Sequence, residues 1–344
     1  MESTQMANPI AKNRLFLMDD IKLLASYFVV FIHFMLPGDL GDAVKAVARF
    51  AVPFFFMCSG YFSYGNTPEI IRKKALHILK LFLIATMIYA FLEIGVLILE
   101  QEYNQVLVYF LYNFFNTEKW IKCILFNVPP ICTFLWYLLA MFYVYLIYYF
   151  VTKFNIPDRG TDISSIILLV LHLVIWHSFL VYEITDDTFY VRNFLFVGYP
   201  FVTIGRMLKK HQDKLPQLKA ITISLLLIIG SICSILSCFA FGSKSLPFGA
   251  IVISITLMLV CITTKQPQKP IIVNAGIYSM YIYLFHRLIK KWYFSILSAT
   301  SMTDTLFEDL SPFVICIATT IFAIICTKIQ KNIVRVFPSK QRNH

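Results

Sequence analysis

The feature that most constrains this chain is a recurrence of apolar runs separated by short polar breaks. Ten are read as spans: Leu15 to Leu36, Ala46 to Tyr64, Ala75 to Leu99, Ile131 to Val151, Ile163 to Val181, Phe194 to Leu208, Ile221 to Phe241, Leu246 to Ile262, Ile271 to Leu297 and Leu310 to Cys326. A spanning helix takes roughly 20 residues, so ten of them consume most of a 344-residue chain. Only 14% of the residues are charged and 58% are hydrophobic, against about 25% and 45–50% in soluble domains. The expected fold is therefore all-α: a polytopic membrane protein of about ten transmembrane helices. It is expected to be one integral-membrane domain over residues 1–344, with no room for a soluble domain of ordinary size.

The net charge of +11 is informative only once it is sorted by loop. With an even number of spans both termini share a side. That side, with the second, fourth, sixth and eighth loops, carries 21 of the 30 lysines and arginines. The positive-inside rule places it, and both termini, in the cytoplasm. The asymmetry also removes nucleic acid as the reason for the charge. A cleaved leader is not expected, because Asp19, Asp20 and Lys22 interrupt the first apolar run. Six of the eight cysteines lie in apolar runs and read as small hydrophobes; Cys123 and Cys132, near the longest outer loop, leave a disulfide open. No spacing of ligands suggests a metal.

Ionisable side chains inside spans are costly and mark function by default. Lys22 and His33 are eleven residues apart, about 20° past three full helical turns, so they share a face and stand about 16 Å apart along the axis. An imidazole can take a proton from a hydroxyl near neutral pH, and a cation can hold the phosphates of an extended donor. The alternative is that Lys22 snorkels to inner headgroups and His33 bonds a neighbouring helix. Glu93 lies in the outer half of the third span and either orients His33, binds an acceptor or reaches the headgroups. Arg192, at the outer mouth of the sixth span, either clamps an anionic sugar or pairs with Asp186 or Asp187. His286 and Arg287 line the same cavity, or Arg287, Lys290 and Lys291 anchor the outer end of the ninth span.

The residues carry a resemblance. Arg14, Asp19, Lys22 and His33, followed by Val52-Pro53-Phe54-Phe55-Phe56-Met57-Cys58-Ser59-Gly60-Tyr61-Phe62, are similar to the opening of the acyltransferase-3 family of integral-membrane O-acyltransferases. Phe134-Leu135-Trp136-Tyr137-Leu138, Arg192-Asn193-Phe194 through Gly205-Arg206, and Ser279 through His286 extend the similarity over most of the chain. The resemblance implies ten spanning helices and transfer of an acyl group, usually acetyl, from a cytoplasmic donor to a hydroxyl of an exported glycan. It makes His33 the catalytic histidine, with Glu93 and His286 as further catalytic candidates. Lys22 stands where the family usually has arginine, keeping the charge without the bidentate fork. Lys74, His77 and Lys80 hold the register of a basic motif after the second span, so Lys22, Lys73, Lys74 and Lys80 are the candidate donor contacts. Phe134 replaces a frequent histidine. Arg192 and Trp136 are candidates for the acceptor.

The expected function is that of a multi-pass cell-membrane O-acetyltransferase. Acetyl-CoA or another acyl-CoA would be its co-substrate, a cell-surface, exported or lipid-linked glycan its acceptor, and the lipid bilayer its surroundings; no cofactor is expected to be permanently bound. The rival reading is a transporter or flippase for a glycan or lipid-linked precursor, its intramembrane charges lining a path. Against it, the ionisable residues gather on the first span and no inverted repeat is visible.

Overall fold

The computed structural model describes residues 15–99, 103–182, 192–241, 246–267, 269–299, 307 and 309–336. Among these, every regular element is helical. In chain order they are α1 (Phe16–His33), α2 (Gly38–Ala48), α3 (Ala51–Tyr61), α4 (Pro68–Leu99), α5 (Tyr103–Phe114), α6 (Thr117–Phe126), α7 (Trp136–Lys153), α8 (Asp158–Tyr182), α9 (Tyr199–Lys210), α10 (Ala220–Phe241), α11 (Phe248–Thr263), α12 (Ala275–Ala299) and α13 (Ser311–Val336). Each expected span meets a helix, with two differences.

The second expected run is broken. Pro53 lacks the N–H that would bond the carbonyl of Arg49, and its ring crowds that carbonyl. The helix accordingly stops at Ala48 and restarts at Ala51, leaving Arg49 at the corner. The second difference is the long loop after α4, which contains two short helices, α5 and α6. Their exposed apolar residues include Leu107, Leu111, Ile121 and Leu125. Cys123 and Cys132 are separate, buried thiols.

Five segments are long and apolar enough to cross a membrane: Gly38–Tyr61, Pro68–Ile98, Thr133–Lys153, Ala220–Ala240 and Ser311–Asn332. Phe248–Thr263 is a shorter apolar helix. By contrast, α1 carries Asp19, Asp20 and Lys22, and α12 carries Arg287, Lys290 and Lys291. The apolar helices are dressed for lipid. On α10, Ile221, Leu225, Ile228, Ile229, Ile232 and Leu236 are all about half or more exposed, and they follow the i, i+4, i+7 period of one helix face. An apolar stripe of that length is stable only against hydrocarbon or a partner protein.

The main core lies between α1, α3, α7, α9 and α11, with Phe54, Phe56, Met57, Tyr148, Phe201 and Met258 fully buried. Glycines set its closest crossing. A Cβ at Gly60 would strike the backbone of Val202 on α9, and one at Gly205 would strike the backbone of Met57 on α3. This reciprocal small-residue contact brings the two helices to backbone distance. α1 packs on α2, α3 and α12, and α12 packs on α13. At the start of α1, the Asp20 carboxylate accepts the N–H groups of Ile271 (3.0 Å) and Ile272 (3.3 Å), tying the chain that enters α12 to α1.

Candidate functional site

His33 is the last residue of α1 and faces a cavity of about 260 Å³. The cavity is walled by Arg49 at the α2–α3 corner, Pro53 of α3, Phe134, Trp136 and Tyr137 at the start of α7, Arg192 and Val197 ahead of α9, and Tyr283 and Arg287 of α12. These groups come from one end of the helix bundle. α1 ends there, and α3, α7 and α9 begin there. Among the described residues, neither ring nitrogen of His33 makes a hydrogen bond, so both are open to a ligand.

His286 sits beside it. The two rings stack with centroids 5.1 Å apart and planes inclined by 27°. Nδ1 of His286 donates to the carbonyl of Tyr283 (2.8 Å), with that of Ile282 at 3.2 Å. A carbonyl only accepts, so in the neutral ring the proton is on Nδ1 and Nε2 keeps its lone pair. That Nε2 is buried and has no hydrogen-bond partner. Phe34 and Phe134 close around the same ring, edge on.

The arginines are braced by aromatic rings. The Arg192 guanidinium carbon is 5.4 Å from the Trp136 ring centre and that of Arg287 is 5.5 Å from Phe134. Positions of Arg192 and Trp136 depend on two asparagines. Asn193 Oδ1 accepts from the N–H groups of Leu195 (2.9 Å) and Phe196 (3.0 Å), capping the wide π turn Phe194–Gly198 that leads into α9. Asn127 adopts a left-handed backbone (φ 51°). Its Oδ1 accepts from the Phe194 N–H (2.7 Å) while its Nδ2 donates to the Trp136 carbonyl (3.3 Å). One buried amide thus pins the Arg192 segment to the start of α7.

Thus His33, His286, Arg192 and Trp136 are brought together. Glu93 is not with them: its carboxylate pairs with Lys291 Nζ at 2.7 Å, joining α4 to α12. At the other end of α1, Lys22 lies 3.4 Å from Asp19 and 5.1 Å from the Phe62 ring. Lys74 Nζ donates to the Phe62 carbonyl (2.7 Å), and Arg206 donates to that of Ser63 (3.0 Å). Lys22, Lys74 and Arg206 therefore gather at the C-terminal turn of α3, where free carbonyls favour cations. Lys73 and Lys80 are exposed elsewhere on α4. Arg14, Asp186 and Asp187 lie outside the described residues. Arg49 and Asn127 were not apparent as site residues from sequence. The signal for Arg49 is Pro53 four residues later; for Asn127 no sequence signal exists.

The shared motifs now have physical roles. In Val52 to Phe62, Pro53 breaks the helix at Arg49, Phe56 packs on Trp136 and Tyr137, and Gly60 admits α9. No curated protein and no solved structure matches this chain. The family model described as an acyltransferase domain matches residues 18–328, from the foot of α1 into α13. His33 and every wall of its cavity fall within that match, and the chain belongs to the acyltransferase-3 family.

Proposed function

We propose that this membrane acyltransferase is an O-acetyltransferase that moves an acetyl group from cytoplasmic acetyl-CoA to a hydroxyl of an exported or cell-surface glycan. The observation that carries the reading is His33, with two unengaged ring nitrogens, in an arginine-walled cavity at the opposite end of α1 from the Lys22, Lys74 and Arg206 cluster. In this reading the chain spans a cell membrane ten times, with both termini in the cytoplasm and the cavity facing outward. The donor's phosphates meet Lys22 and Lys74, with Lys73 and Lys80 guiding approach. Its thioester reaches toward His33 over about 16 Å, a distance set by the helix rise.

His33 takes the proton of the acceptor hydroxyl as its oxygen attacks the thioester carbonyl carbon. The carbon–sulfur bond then breaks, and the departing thiolate receives the proton. His286 holds the neighbouring ring in place by stacking on it. Trp136 and Arg192 contact the acceptor. Glu93 acts through Lys291, holding α12 and so His286 in register.

Mass spectrometry of surface glycans tests the reading, using cells with the intact gene, with His33→Ala and with Lys22→Ala. Ester-linked acetate should be present with the first, absent with the second and reduced with the third. Unchanged acetylation with a stably expressed His33→Ala chain would reject it.

A further inference from the structure

We infer that the cavity beside His33 is an anion site, and that its occupant is an acidic sugar whose carboxylate or phosphate is held by Arg49, Arg192 and Arg287. The acceptor role rests on the acyl-transfer reading above; the anion site itself rests on the arginines.

Three guanidinium groups wall one small cavity, and among the described residues no carboxylate lines it. Among the described residues none of the three makes an ion pair, and the Arg49 Nε is buried with no hydrogen-bond partner. Among the described residues, the Glu93 carboxylate is engaged on Lys291 instead. The positive charges acting on His33 include those of Arg287, Arg192 and Lys290, and that of Arg192 also acts on Arg49. Gathering like charges in an apolar setting is costly unless an anion completes the site. The guanidinium fork fits the planar carboxylate and the phosphate bidentately. Arg192 over Trp136 and Arg287 over Phe134 are already braced from one side, which lowers the cost of ordering them on binding.

Size and lining point to a sugar. The volume of about 260 Å³ lies just below the range of about 300–1,000 Å³ typical of small-molecule pockets, which suits one ring with its acidic substituent. Trp136, Tyr137 and Tyr283 supply flat apolar faces beside the cations. The donor's phosphates are a poorer fit, since Lys22, Lys74 and Arg206 offer cations at the far end of the bundle.

The test is ligand-induced thermal stabilisation of the purified full chain in detergent. The probes are D-glucuronate, D-glucose 6-phosphate, neutral D-glucose and adenosine 3′,5′-bisphosphate. At least one sugar acid should bind tenfold or more tightly than glucose, and Arg192→Gln and Arg49→Gln should each abolish that preference. The two acids separate a carboxylate-bearing from a phosphate-bearing occupant. Should Arg49→Gln fail to fold, the more exposed Arg192 still decides the matter. Three outcomes would overturn the proposal: glucose binding as tightly as both acids, a preference for acids that survives Arg192→Gln, or arginine-dependent binding of the bisphosphate in place of the sugars. Arginine-dependent binding of a sugar acid by a chain that transfers no acetyl would leave the anion site standing and reject the transferase reading.

Discussion

At the scale of residues, the proposed site separates side chains expected to meet a ligand from those that hold them in place. Asn127 belongs to the second kind. Removing its amide in Asn127→Ala leaves the Phe194 N–H without its acceptor, at a cost of about 1–3 kcal/mol for an unsatisfied buried group. It also frees the Arg192 segment from Trp136. We expect a lower Tm and a raised KM for the acceptor with the donor KM unchanged; kinetics with each substrate varied in turn will show it. Glu93 is the contrasting case. Its pair with Lys291 is partly exposed, with side chains 42% and 33% accessible, so a double-mutant cycle on stability should give a coupling of about 1 kcal/mol or less. Transfer by Glu93→Gln should remain within several-fold of wild type, whereas a loss of about 10²-fold or more would put its carboxylate in the chemistry. His33 was legible in the sequence because an imidazole in an apolar run is rare and costly. Arg49 read only as flanking positive charge and Arg287 as either a cavity residue or a membrane anchor, since nothing in a linear sequence shows that residues 49, 192 and 287 share a wall. Asn127 was invisible because its two partners, Phe194 and Trp136, are joined to it only by the fold.

At the scale of elements, the backbone contact between α3 and α9 governs how the cavity closes. Gly60→Val or Gly205→Val would drive a side chain into opposing backbone, which gives less readily than a side chain; we expect a loss of about 3 kcal/mol and a collapse in detergent-extracted monodisperse protein. Gly95→Ala on α4 is the control. A Cβ there meets nothing within 4 Å, and the substitution should be neutral or slightly stabilising, since alanine favours the helix. Size-exclusion profiles and thermal melts of the three variants separate these outcomes. The positions of most helices could be read from the apolar runs, because hydropathy at this length has few other interpretations. The break at Arg49 followed from Pro53 in principle, yet an unbroken run of apolar residues on both sides concealed it. The helices α5 and α6 are short and mix apolar with polar residues, so they read as loop. The wide turn at Phe194–Gly198 is set by the Asn193 cap and by Pro200, both local features that hydropathy does not weigh.

At the scale of the whole molecule, the proposed reading divides the chemistry between the two ends of one helix. α1 places a lysine with Asp19 and Phe62 at its foot and His33 at its head, and the family match covers both. The apolar stripes of α4, α10 and α13 face outward, as a bilayer requires. If the foot is cytoplasmic, the donor arrives on one side of the membrane and the acid-bearing acceptor on the other. The most direct test uses sealed membrane vesicles of both orientations, given radiolabelled acetyl-CoA from outside, with label counted in the polysaccharide fraction. Inside-out vesicles with the wild-type chain should incorporate acetate, right-side-out vesicles should not, and inside-out vesicles with His33→Ala should lose about 10²-fold or more of the signal, the share of a general base. Equal labelling by His33→Ala, or labelling by right-side-out vesicles, would contradict the account.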